Sequence, residues 1–71
     1  MLTHNLFLKR LQDLRKENNI SQKAIAELFG YNQACVSQWE GGSREPRFDE
    51  LIIIAQFFGV STDYLLGLTD F

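Results

Sequence analysis

Apolar residues recur along this chain at helical intervals, and Gly or Asn marks most of the interruptions. Phe7, Leu11 and Leu14 stand at i, i+4 and i+7, while Lys9, Arg10, Asp13, Lys16 and Glu17 fill the other sides. That spacing predicts a helix from about Asn5 to Asn18. Asn18-Asn19 ends it, and Ile20 is expected to turn back into the core. Ser21 is a favourable N-cap for a second helix, Gln22 to Phe29, with Ile25, Ala26, Leu28 and Phe29 facing inward. Gly30 follows, where a left-handed residue needs no Cβ. Asn32 can cap a third helix, Gln33 to Glu40, and Gly41-Gly42-Ser43 breaks the chain after it. Pro46 precedes a fourth helix near Asp49 to Phe58, closed by Gly59. Ser61 caps a short fifth, Thr62 to Leu66, with Asp63 placed to favour its dipole and Gly67 ending it. No strand-like alternation, repeat, low-complexity tract or linker appears. The expected fold is all-α, a compact five-helix domain with residues 1–71 as one unit.

Helices two and three, SQKAIAELFGYNQACVSQWEGG, are joined by a short turn containing Gly30, which describes a helix-turn-helix. Ala26 is small where the second helix must pass close, and Val36 and Trp39 anchor the inner face of that helix. The other face is unusual. Gln33, Ala34, Ser37 and Gln38 line up at four-residue spacing, and none is charged. A solvated helix usually carries Lys and Glu, and a buried one Leu and Ile. Amides, a hydroxyl and a methyl suit the edges of bases in the major groove, where the second helix of such a unit docks. Gln can make two hydrogen bonds to adenine, and Ala34 can touch a thymine methyl. Charge belongs at the phosphates. Candidates there are Gln22, with the free N–H groups opening its helix, then Lys23, Asn32, Ser43, Arg44 and Arg47.

The formal net charge of −2 argues mildly against a polyanionic partner, but its distribution argues back. Through Arg47 there are seven basic and five acidic residues, net +2; residues 48–71 hold four acids and no Lys or Arg, net −4. Cys35 is alone, so neither an internal disulfide nor a Cys/His metal site is expected, which fits the cytoplasm. Cys35 reads as a small, half-buried spacer. The N-terminus lacks a signal-peptide pattern, and the longest strongly apolar run, LIIIA at 51–55, is too short to cross a bilayer. The sole histidine, His4, has no partner in sight, and no nucleophile–base set exists, so an enzyme is not expected. No cofactor or small-molecule ligand is indicated.

The segments RLQDLR, SQKAIAELFG, VSQWEGGSREPRF and ELIIIAQFFGVSTDYLLG, in that order, resemble the Cro/CI-type helix-turn-helix domains, also called the XRE family, which include the lambdoid phage repressors. The resemblance runs from about Phe7 to Leu68. It implies a lambda-repressor-like fold and a transcriptional regulator, with repression the expected mode. Gln22 matches the family's phosphate-clamping Gln. Gln33 matches its base-reading Gln, and Ala34 and Gln38 its other base-facing positions. Arg47 matches a basic residue along the backbone near the minor groove. Arg15 and Glu40 match a buried ion pair joining helices one and three. The family implies a homodimer on a near-palindromic double-stranded operator, with the region of helix five at the interface.

This chain departs from the family in two ways. Its third helix has no Lys or Arg, which points to modest affinity per monomer and a bias toward A·T pairs. Ile53 and Phe57 are apolar where polar residues are usual, as extra core or as part of a dimer seam. A second domain is not expected in the residues after Leu68, so effector sensing or strong dimerisation is expected from elsewhere, or the chain is a fragment of a longer protein. The rival reading is a helical protein-interaction module, or an antitoxin-like protein, that kept the fold and binds DNA weakly or not at all.

Overall fold

The computed structural model describes the backbone of residues 2–70 and the side chains of residues 6–70, so His4's side chain lies outside the described residues. Five helices follow one another: α1 (Leu2–Glu17), α2 (Gln22–Glu27), α3 (Gln33–Gly41), α4 (Phe48–Phe58) and α5 (Thr62–Leu66). The caps use short polar side chains, as such ends require. Ser21 accepts from the Ala24 N–H, Asn32 from that of Ala34, and Ser61 from that of Tyr64. Asn19 takes φ 56° after α1, a left-handed conformation Asn tolerates, and lets the chain reverse into Ile20.

One inner face from each helix converges on a single core. Phe7, Leu11 and Leu14 of α1 meet Ile25 and Ala26 of α2, Val36 and Trp39 of α3, Leu51, Ile54 and Ala55 of α4, and Leu65 of α5. Trp39 is fully buried, with Phe29 and Tyr31 presenting their rings to it at 84° and 67°. Emptying such a site by Trp→Ala would remove about 3–5 kcal/mol. Helix α2 packs on α3, α1 on both α3 and α5, and α4 on α5.

Some expectations are corrected. Helix α1 begins at Leu2 rather than Asn5. Helix α2 stops at Glu27, two residues early, because Leu28, Phe29 and Gly30 donate to carbonyls three residues back, which tightens the last turn. Leu28 lies just past the end of α2 and is exposed, not core. Gly30, at φ 71°, then lets Tyr31 N–H return to the Ala26 carbonyl. Cys35 is fully packed at 8% exposure. Ile53 and Phe57 are not extra core: both are exposed.

The end of the described chain is tied to its beginning. The Arg10 guanidinium on α1 donates to the Tyr64 and Thr69 carbonyls and lies 4.2 Å above the Tyr64 ring. Gly67, at φ 84°, passes so close to Leu6 that a Cβ there would collide with the leucine side chain.

Candidate nucleic-acid interface

Helices α2 and α3 form the bracket. The tight turn after Glu27 and the Asn32 cap set where α3 begins, and Val36 and Trp39 pin its inner face. Helical geometry then leaves Gln33, Ala34, Ser37 and Gln38 outside, and all four are exposed. With an αL residue, Gly42, at its end, α3 stops and Ser43 N–H returns to the Gln38 carbonyl.

Behind this face lies a connected polar network. Arg15 grips Glu40 through two hydrogen bonds, from Nε to Oε2 at 2.8 Å and from NH2 to Oε1 at 3.1 Å. The Glu40 side chain is 5% exposed. Its hydrogen bond raises the Arg15 guanidinium further above its ordinary value, with burial acting against it. Gln22 Nε2 donates to the same Glu40 Oε1 at 3.0 Å, and Gln22 Oε1 accepts from Gln33 Nε2 at 3.2 Å. A buried ion pair is thereby linked through one amide to the first residue of α3. Of Gln33's polar atoms, this bond uses one N–H; its carbonyl oxygen remains an acceptor for a ligand.

The cationic positions differ among themselves. Lys23 and Arg44 are exposed on either side of the bracket, and Ser43 Oγ reaches the Gln38 carbonyl at 3.5 Å. Asn32 is exposed and spends its carbonyl oxygen on the helix cap. Arg44 also lines an open recess of about 350 Å³ beside Tyr31, Asn32, Ala34, Cys35 and Gln38. Arg47 is 72% exposed but has carboxylates nearby: Asp49 Oδ1 at 3.9 Å and Glu50 Oε2 at 3.7 Å. Its NH2 also lies 3.4 Å from the Tyr31 hydroxyl.

Tyr31, Glu50 and Arg10 did not stand out in the sequence. Glu50 follows Arg47 by three residues and accepts its backbone N–H at 2.8 Å, which is the carboxylate half of a capping box. An Arg in place of the usual Ser or Thr hid that signal. Tyr31 and Arg10 had none, since their partners lie 19 and 54 or more residues away.

Among the described residues no group of three or more His, Cys, Asp or Glu could hold a metal, and no helix is long and apolar enough to cross a membrane.

A helix-turn-helix family model matches residues 11–65. The HTH-type transcriptional regulator YobD of Bacillus subtilis is 37% identical over 65 residues, covering 92% of this chain and 58% of that protein. The HTH-type transcriptional activator BcrR of Enterococcus faecalis is 37% identical over 61 residues, covering 86% of this chain and 30% of that protein. The chain thus spans little more than half of one relative and under a third of the other. Among solved structures, the P22 c2 repressor in complex with a synthetic operator superposes with a TM-score of 0.75 at 30% identity, covering 83% of this chain and 89% of that one.

Proposed function

The chain belongs to the Cro/CI-type, or XRE, helix-turn-helix family, and from that premise we propose that it is a sequence-specific regulator of transcription that reads the major groove of double-stranded DNA with α3. The observation carrying this reading is the exposed, uncharged row Gln33, Ala34, Ser37 and Gln38 on a helix whose other side is locked into the core. Gln33 and Gln38 offer paired donors and acceptors to adenine, Ala34 a methyl to thymine, and Ser37 a hydroxyl to either strand's bases. Gln22, Lys23, Asn32, Ser43, Arg44 and Arg47 hold the backbone, and Arg15–Glu40 fixes the angle of α3 on α1. The protein acts as a binder rather than a catalyst, in the cytoplasm, as a homodimer on a near-palindromic site, with residues 1–71 as its DNA-binding domain. Repression is the expected direction, with an activator and a phage repressor both among the relatives.

A titration against an operator selected from random duplexes, at several salt concentrations, tests this. Affinity falls log-linearly with salt as counterions are released. Gln33→Ala weakens the selected site by about 1–3 kcal/mol and relaxes one base position. No selected duplex, or binding unaffected by salt, would contradict the reading.

A second reading has its own observation. Phe48, Ile52, Ile53 and Phe57 are exposed on the outer side of α4, and residues 48–71 carry no Lys or Arg. A protein-interaction module would use that side, and loss of DNA binding with retained self-association or partner capture would favour it.

A further inference from the structure

We propose that Tyr31 is a positioning residue for Arg47: its hydroxyl takes the close place on the Glu50 carboxylate and accepts from Arg47, and so keeps that exposed guanidinium from closing onto Glu50 and leaves it free to meet a DNA phosphate. The inference rests on DNA being the ligand, and it resolves how a cation flanked by two carboxylates can serve the backbone.

The Tyr31 ring is fixed before its hydroxyl is considered. It stacks on Phe29 with centroids 5.1 Å apart at 18°, and stands edge-on to Trp39 at 6.4 Å. From that seat the hydroxyl donates to Glu50 Oε2 at 2.6 Å. Glu50 is 6% exposed, and its other oxygen accepts the Arg47 backbone N–H at 2.8 Å. Both oxygens of a nearly buried carboxylate are therefore satisfied without the Arg47 side chain. That side chain is held only at 3.4 Å by Tyr31 and at 3.7 and 3.9 Å by Glu50 and Asp49.

Removal of the hydroxyl changes the balance. Glu50 Oε2 would lack a donor, and a buried carboxylate short of a donor is costly. The nearest group able to replace it is the Arg47 guanidinium, which forms short, charge-assisted bonds to carboxylates. Arg47 would then fold onto Glu50, its charge cancelled and its reach shortened. The same contacts raise both groups above their ordinary values, Tyr31 first through its bond to Glu50 and Arg47 first through its bond to Tyr31. Since Tyr31 directly precedes the Asn32 cap, the aromatic block that seats α3 also sets the cation beside it.

The experiment measures affinity for a duplex selected by the unaltered protein, across salt concentrations, for Y31F, R47A, Y31F/R47A and Y31F/E50Q. Thermal midpoints confirm that each variant is folded, and the phenyl ring of Y31F keeps the stack. Y31F is expected to lower affinity about three- to tenfold and to flatten the salt slope by about one phosphate, as R47A does. Added to R47A, it should change affinity less than about twofold, because the two act on one contact. E50Q should restore the Y31F loss, since a neutral amide does not capture Arg47. Normal binding by Y31F, an unchanged salt slope, losses that multiply with R47A, or no rescue by E50Q would each overturn the inference while leaving the DNA reading intact. Absence of binding by the unaltered protein to any duplex would overturn both.

Discussion

Two buried carboxylates, Glu40 in α3 and Glu50 in α4, are treated in opposite ways. Glu40 is forked by Arg15, whose side chain is only 16% exposed, and passes its second contact through Gln22 to Gln33. Glu50 takes its short bond from a neutral phenol and leaves Arg47 72% exposed. On the first side the positive charge is consumed inside and an amide is offered outside. On the second the negative charge is quieted by a hydroxyl and the cation remains available. Base edges need oriented, uncharged hydrogen-bonding groups, whereas phosphates need mobile positive charge. On the proposed function, one carboxylate serves each requirement.

The largest loss is expected at Glu40. Glu40→Ala leaves the Arg15 guanidinium buried without its partner and should lower unfolding free energy by about 3–5 kcal/mol. Chemical denaturation would register it as a lower midpoint with an unchanged slope. Gln22→Ala is milder. It removes one hydrogen bond to a charged acceptor, about 1–3 kcal/mol of stability, and frees Gln33 while deleting a proposed backbone contact, so all duplexes should weaken and the discrimination between selected and random ones should narrow. On the other side, Arg47→Ala should leave the denaturation midpoint unmoved, weaken all duplexes about three- to tenfold alike and flatten the salt dependence. The smallest effect concerns pH. Tyr31's ionisation is raised above its ordinary 10.0 in the folded protein, so its contribution to stability is complete below that value. It is lost as pH rises through the folded value. A stability curve of the unaltered protein should therefore decline above about pH 10 in a way that Tyr31→Phe lacks.

The same two carboxylates show where sequence reading succeeds and where it stops. Local rules found the helices: Ser21, Asn32 and Ser61 each cap the helix that begins at the next residue, and the interval from Phe7 to Leu14 gives the buried face of α1. Those signals act within a turn or two, so spacing alone carries them. The outward row on α3 was legible for the same reason. Leu28 was misplaced because α2 ends at Glu27, so the spacing that turns Ile25 and Ala26 inward no longer governs it. The Tyr31–Glu50 and Arg10–Thr69 contacts were not legible, since their partners are brought together only by packing of the whole chain. Ile53 and Phe57 could not be placed from hydrophobicity, because α4 carries apolar residues on both its buried and its exposed sides.

The proposed function requires that the uncharged outer row of α3 reads bases and the surrounding groups hold the strand. Parallel titrations of the unaltered protein and Gln33→Ala, on a selected duplex and on a random one, test it most directly. A loss of about 1–3 kcal/mol is expected on the selected duplex and almost none on the random one. Equal losses on both duplexes would contradict it.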